Sequence, residues 1–357
     1  MDVRHSARIT LGCLALLAVY AKYYLSLQNG FIPLLSSLKA KNSLPGDEGL
    51  LRTHYTGCRR LDDFLAACTL FFWPVLSGNS VPLSLYALAF AGGMVPTWVI
   101  LSTHAWRSAN PLKSLVRNML GGLAIQIIGP GVMVPVLLAI QSPALKRARD
   151  IPSGYCLSTP IVVFYGAPLF LASAAAPRLV SAGMKQQLIA FWQGWSVSVS
   201  LSAPVLRWLA ARLPRSGSSE RTVTYAREHI FAFAFLCSAL PHWTMIGIVF
   251  LVQLGVPPSC HDGKSLIVPR LSWGGKHVAS IEEGIQHFLQ WDYGISAVAL
   301  LTWCVALYHH HAGIPAVWIK TVCGLMWVLV VACLCGPCSA ALWLYYEAES
   351  IAFAKEA

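Results

Sequence analysis

Three carboxylates stand where their neighbours exclude water: Asp62 and Asp63 in Leu61-Asp62-Asp63-Phe64-Leu65-Ala66-Ala67, and Asp292 in Phe288-Leu289-Gln290-Trp291-Asp292-Tyr293-Gly294. An ionisable group inside hydrocarbon costs several kcal/mol and is retained where it has work to do. A carboxyl in such a setting keeps its proton near neutral pH and can hand it to a substrate, the chemistry of a general acid. At helical spacing Asp62 shares a face with Leu65, Ala66, Thr69 and Trp73, and Asp292 with Ile295, Ser296, Ala299 and Trp303. Asp63 is rotated about 100° from Asp62. The plainer role for Asp62 or Asp63 is to cap a helix N-terminus, but Asp292 lies a full turn into its apolar segment, where capping accounts for it less well.

Aromatic residues accompany these acids. Phe71, Phe72, Trp73, Trp98, Trp192, Trp195, Trp243, Trp291, Tyr293 and Trp303 all fall in apolar stretches, and a ring face attracts a carbocation as it attracts an ammonium group. Singly, each ring is more often core or membrane-interface packing; the combination with buried acids raises cation chemistry. His242, in Ala239-Leu240-Pro241-His242-Trp243, is an alternative base of the kind used by membrane acyltransferases, against a plainer role in hydrogen-bonding a carbonyl freed at a helix break. The Cys333, Cys335, Cys338 pattern lies in an apolar helix without a partner cluster, and His309-His310-His311 ends a span; neither is read as a metal site. No glycine-rich phosphate loop and no paired DDxxD or NDxxD motif appears, so no metal and no cofactor is expected.

The elements that must hold these residues follow from composition. Of 357 residues 56% are apolar and 11% are Asp, Glu, Lys or Arg, with a mean hydropathy of +0.59. A soluble domain carries roughly 25% charged residues, so a water-soluble enzyme, a disordered chain and a nucleic-acid-binding basic domain are excluded. The excess of 26 Lys and Arg over 15 Asp and Glu, +11, suits basic loops over anionic headgroups. The expected fold is all-α, a polytopic transmembrane bundle forming a single integral-membrane domain over residues 1–357. A crossing takes about 20 apolar residues, which predicts about nine spans, with seven to nine compatible: Ile9–Leu27, Leu61–Ser77, Pro82–Leu101, Asn118–Ile140, Tyr155–Ala175, Gln187–Leu209, Glu228–Gly255, Phe288–Tyr308 and Pro315–Tyr346. Lys22 interrupts the first without a small-residue cleavage site, so it reads as a retained helix. Gly336-Pro337 kinks, tilts or divides the last.

Two connections are long, residues 28–60 and 256–287, and both carry apolar stretches, as expected of interfacial loops that could form a lid. Cys58 and Cys260 lie one in each, where a disulfide is allowed and nothing requires it. The second and eighth spans are both even-numbered, so they run in the same direction, and acids early in each lie near one membrane face.

Leu61-Asp62 followed by Phe71-Phe72-Trp73-Pro74-Val75-Leu76, and Phe288-Leu289-Gln290-Trp291-Asp292-Tyr293 with Trp303 downstream, resemble fungal membrane-bound terpene cyclases of meroterpenoid pathways, of the ascochlorin and ascofuranone type. The resemblance implies metal-free cyclisation of a lipophilic epoxidised prenyl chain on a polyketide-derived head. A carboxylic acid protonates the terminal epoxide and the cation passes along the alkenes. It carries Asp62 and Asp292 over as the acids, with Asp63 equally eligible beside Asp62, and leaves open which of them donates. Phe72, Trp73, Trp291, Tyr293, Trp303, Trp243 and His242 are the expected substrate and cation contacts. The expected surroundings are membrane lipid in the endoplasmic reticulum, with no nucleic acid and no obligate protein partner. A transporter or ligand-sensing membrane protein using the same acids is the other class to weigh, and would show pseudo-symmetric halves with matching broken helices.

Overall fold

A computed structural model of the chain describes residues 3–47, 49–107, 110–141, 154–174, 180–210, 212, 220–254, 277–312 and 318–354. Among these the architecture is helical throughout, with one isolated bridge, Ser43 to Leu50, as the sole extended pairing. The helices are α1 (Val3–Val19), continued by a π-helical turn Tyr20–Tyr24 into α2 (Leu25–Gln28), then α3 (Phe31–Ala40), α4 (Arg59–Ser77), α5 (Val81–Ala105), α6 (Pro111–Ile128), α7 (Pro130–Ala139) and α8 (Gly154–Pro160). They are followed by α9 (Ala167–Ala174), α10 (Ala182–Trp192), α11 (Trp195–Ala210), α12 (Glu220–Gln253), α13 (Ile281–Ala312), α14 (Trp318–Cys335) and α15 (Pro337–Ala354).

Local chemistry sets the boundaries. Ser80, Asn110 and Ser181 each accept a backbone N–H from the first turn of the helix they precede, at Leu83, Lys113 and Met184. That satisfies donors the helix itself cannot. Gly129 (φ +97) and Gly336 (φ +92) adopt conformations that side chains resist, each directly before a proline, and there the chain breaks α6 from α7 and α14 from α15.

The bundle is inside out by the standard of a soluble protein. Leu16, Phe170, Leu201, Phe250 and Leu329 face outward, while Lys22, Arg107, Asp292 and Glu349 are buried. That distribution suits lipid as solvent. Helices α5 and α13 form the centre, packed on each other and, respectively, on α12 and on α1, α7 and α15.

Among the described residues five helical stretches are long and apolar enough to cross a membrane: His5–Gln28, Val81–Ala105, Cys156–Ser173, Arg227–Gln253 and Ile281–Ala312. The expected nine is therefore supported by length and composition at five. The spans expected over 118–140 and 187–209 are each interrupted, at Gly129 and at Gln193-Gly194, and the last is divided at Gly336, while the one expected over 61–77 lies in the unbroken α4, whose start carries Arg59, Arg60, Asp62 and Asp63. The connection over residues 28–60 is itself structured. It contains α3, and the Asn29 carbonyl accepts the Val278 N–H at 2.9 Å, joining it to the end of the second long connection. Residues 256–276 of that second connection, with Cys260, lie outside the described residues; Cys58 is exposed.

Candidate active site

The polar centre of the bundle is assembled from three helical segments that are far apart in sequence. In the π-helical turn after α1, Lys22 is completely buried and its Nζ lies 2.5 Å from Asp292 Oδ1 on α13. Asp292 is itself only 3% exposed. The third contributor is the break between α6 and α7. Ile128 ends α6, and its carbonyl accepts hydrogen bonds from Lys22 Nζ at 3.0 Å and the Tyr23 hydroxyl at 2.5 Å. Gly131 is the second residue of α7, and its N–H donates to Asp292 Oδ1 at 2.7 Å.

The arrangement follows helix electrostatics: the cation meets the negative C-terminal end of α6 and the carboxylate the positive N-terminal end of α7. Gly129 is required at the crossing, since a Cβ there would run into Lys22 Nζ and come within 3.0 Å of both Asp292 oxygens. The Lys22 ammonium also lies over the Phe288 ring, 4.7 Å from its centroid.

This polar group forms one wall of a cavity of about 370 Å³ whose other walls are apolar and aromatic. Asp292, Tyr23 and the Ile128–Pro130 break meet Phe71, Phe72, Phe288 and Trp195 around it, and Phe31, Ile32 and Leu35 of α3 close one side. Phe71 packs edge-on against both Phe72 and Phe288, with centroids at 5.0 and 5.3 Å. A second, larger cavity of about 800 Å³ adjoins the first, and the two share Phe72, Phe90, Tyr165, Trp192 and Leu289 as lining residues.

The expected site residues divide. Asp292 and Phe72 line the first cavity. Asp62 does not; its carboxylate is buried at the start of α4 and accepts the backbone N–H groups of Thr56 (2.7 Å) and Gly57 (3.1 Å) and the Thr56 hydroxyl (2.8 Å). The face it shares with Leu65, Ala66, Thr69 and Trp73 is the one expected from spacing, but α4 presents Phe64, Ala67, Cys68 and Phe71 to the cavity instead. Asp63 is exposed and pairs with Lys39 at 3.0 Å, tying α3 to α4. Trp73 packs in a separate core under the Lys185 ammonium, at 4.2 Å.

Trp291 packs beside Ala18, Val132 and Ile295. Tyr293 stands behind the cavity wall against Phe90, with centroids at 5.9 Å. Trp303 stacks on Tyr345 at 6.0 Å, and Trp243, 46% exposed, donates its Nε1 hydrogen to the Leu334 carbonyl at 2.6 Å. His242 Nε2 is 2.9 Å from the Cys333 carbonyl, an oxygen left over because residue 337, its helical partner, is a proline. The contact is of the kind expected of the plainer role, with the break at Gly336-Pro337 rather than at Pro241.

Sequence reasoning missed Lys22 as the partner of Asp292, and Tyr23, which donates to the same Ile128 carbonyl as Lys22. A search over cations as well as acids, together with the Gly129-Pro130-Gly131 break, carries that signal. It also missed Glu349, 1% exposed in α15, where Arg107 pairs with it and Tyr345 and Arg227 stand close by. Among the described residues no three of His, Cys, Asp and Glu gather as a metal-binding set.

Residues 7–353 match the family model described as the CtvD domain. Terpene cyclase penA of Penicillium crustosum is 40% identical over 97% of this chain and 96% of its own length. Terpene cyclase janA of Penicillium janthinellum is 38% identical over 93% and 91%, and terpene cyclase verU1 of Penicillium polonicum 30% over 96% and 94%. No solved structure matches the chain. With a buried acid on an aromatic cavity in a helical membrane-type bundle, and with near full-length similarity to these fungal proteins, the chain belongs to the CtvD-domain family, whose curated relatives carry the name terpene cyclase.

Proposed function

We propose that this protein is a multi-pass membrane terpene cyclase that opens the terminal epoxide of a prenylated, farnesyl-type precursor by proton transfer and cyclises it through a carbocation cascade. The observation that carries the reading is Asp292, paired behind the surface with the fully buried Lys22, on the wall of a largely apolar, aromatic cavity. At rest the pair is net neutral. The proton moves from the Lys22 ammonium to Asp292, and its transfer from the Asp292 carboxyl to the epoxide oxygen breaks the bond from that oxygen to the more substituted carbon, leaving a neutral amine and a carboxylate, one net negative charge, beside the new cation. The cavity as a whole gains no charge, which matters in a low-dielectric site. Both protein contacts of the carboxylate named above fall on Oδ1, leaving Oδ2 to face a substrate.

Phe71, Phe72 and Phe288 offer ring faces to the migrating cation. The cascade ends when the last carbon loses a proton, or an internal hydroxyl attacks it and loses one, and the pair regains what it gave. In this reading Lys22, rather than Asp62, is the partner of Asp292. Asp62 instead holds the 55–57 segment, and α3 acts as a lid, since Phe31, Ile32 and Leu35 line the cavity. Residence in the endoplasmic reticulum with about nine crossings completes the proposal.

Microsomes bearing the protein, incubated with an epoxyfarnesyl phenol, test it. Wild type should give cyclised product. Asp292→Asn and Lys22→Met should each lose about a hundredfold or more, the contribution of a general acid, and Asp62→Asn should retain turnover. Cyclisation that survives Asp292→Asn would reject the assignment.

A further inference from the structure

The cavity that Asp292 lines continues into a larger one. The inner cavity, of about 370 Å³, and the outer, of about 800 Å³, meet at a neck of Phe72, Phe90, Tyr165, Trp192 and Leu289, which line both. Packed rings form this neck: Trp192 stands edge-on to Phe72 at 5.1 Å and tilted against Tyr165 at 5.7 Å. Asp292 lines the inner cavity alone.

Past the neck the chemistry changes. Among its described lining residues the outer cavity has no charged side chain. Each of its four hydroxyls already donates to a backbone carbonyl: Ser77 to Trp73, Ser84 to Val75, Tyr165 to Ala91 and Ser173 to Phe170. Lys185 reaches the Ser77 hydroxyl at 3.0 Å without lining the cavity. Such a space accommodates a bulky uncharged group and penalises a charge.

The epoxide is at the end of the prenyl chain remote from its head, so with the epoxide at Asp292 the head lies a chain's length away. The inner cavity reaches the surface at Ile127 and Ile128, both exposed, but that opening is beside the acid itself, because the Ile128 carbonyl is bonded to Lys22. The outer cavity is where the remaining length leads. Its mouth is apolar as well, since Leu88, Val162 and Phe170 line it and are exposed.

We infer that the outer cavity seats the head group of the substrate, a bulky and uncharged one, while the prenyl chain passes through the neck with its epoxide at Asp292. The inference rests on the cyclase reading and deepens it, giving the head group a place and a charge class. Ala87 on α5 and Gly166, at the end of the π-helical turn Ile161–Gly166, then set the size of head accepted. Both line the outer cavity only, and a Cβ on Gly166 meets nothing closer than the Ile161 carbonyl at 4.0 Å.

The test gives three epoxyfarnesyl ethers to microsomes bearing wild type, Ala87→Leu or Gly166→Leu, with substrate measured in the membrane. One has a methyl group as its head, one a fused-ring aromatic head with a methyl ester, and one the same rings with a sulfonate in place of the ester. Wild type should favour the ester over the sulfonate by at least about tenfold in kcat/KM. Each variant should lower kcat/KM for the ester conjugate by about tenfold, the discrimination that a methylene-sized misfit gives in an apolar pocket, and leave the methyl ether within about twofold. The methyl ether thus reports, in the same preparation, that the variant is folded and its acid works.

Equal kcat/KM for ester and sulfonate in wild type overturns the inference without any variant. So does a loss shared equally by ester and methyl ether in both variants, or an ester unaffected in both, the result expected if a lipid chain fills the outer cavity instead. In those cases the cyclase reading stands. A wild type that cyclises none of the three, nor the epoxyfarnesyl phenol, overturns both.

Discussion

The Lys22–Asp292 pair makes the strongest quantitative claim on this protein, and a double-mutant cycle reads it. Lys22 Nζ meets Asp292 Oδ1 at 2.5 Å, the Ile128 carbonyl at 3.0 Å and the rings of Phe288 and Tyr23. Asp292 Oδ1 has Lys22 and the Gly131 N–H. In Lys22→Met the side-chain volume is kept and the charge removed, so a buried carboxylate is left with one backbone donor. Breaking a buried pair in this way costs about 3–5 kcal/mol.

Asp292→Asn is milder. The amide oxygen still accepts from Gly131, and the ammonium keeps a carbonyl and a ring face, so the expected loss is about 2 kcal/mol. The double variant contains no unpaired charge and should lose about 2–3 kcal/mol in all, well short of the summed singles, a coupling of about 3 kcal/mol between the two positions. Reversible unfolding in mixed detergent micelles gives the stabilities, and the epoxyfarnesyl phenol assay gives turnover for the same preparations. Losses that add to within about 0.5 kcal/mol, together with undiminished turnover in Lys22→Met, would refute the pair as a unit of structure and of chemistry.

Three further outcomes follow from the same geometry. Gly129→Ala places a methyl group against Lys22 and both Asp292 oxygens in a backbone conformation (φ +97) that alanine resists. It should cut turnover at least tenfold with neither ionisable residue touched, as measured by product formation per folded molecule; normal turnover would show that the break does not position the pair. Glu349→Leu leaves Arg107, buried beside it, without its counter-charge and should cost about 3–5 kcal/mol. Arg107→Met added to it should recover part of that loss, and turnover per folded molecule should be unchanged in both, because Glu349 lines neither cavity. His242→Asn should retain turnover within about twofold, since the imidazole serves the Cys333 carbonyl and an amide donor can replace it; loss of activity without loss of folded protein would restore the reading of His242 as a base.

The helical membrane character was legible because it is a property of composition and of runs of 20 or so residues, which need no knowledge of what packs where. Asp292 was legible for a related reason: a charge a full turn inside an apolar run has to be explained whatever surrounds it. What spacing could not supply was the direction in which a correctly drawn helical face points. Asp62, Leu65, Ala66, Thr69 and Trp73 do share a face of α4, but that face packs on a separate small core with Leu44, Leu51 and Ile189, and the neighbouring face, through Phe64, Cys68 and Phe71, meets the cavity. Both faces are apolar, so the pattern carries no information about which is which. Hydropathy likewise runs on through Gly129 and Gly336 while the backbone does not, and among the described residues five of the nine expected spans stand as single helical stretches of crossing length and apolarity.

Lys22 shows the more general obstacle. In sequence it reads as an interruption of a span and as an argument against a cleaved leader, because its partners are 106 and 270 positions away and one of them is a backbone carbonyl. The Ile128 oxygen is available only because Gly129 and Pro130 stop α6 there, and the Gly131 N–H only because α7 starts there. A glycine-proline break, a lone lysine and a lone aspartate each look like a flaw in an apolar segment when taken separately. Placed together they cancel, charge against charge and dipole against each. Neutrality in a buried site is therefore a property of the whole set and not of its acids, so a search for a reaction centre in such a chain has to weigh cations, carboxylates and freed backbone groups on the same footing.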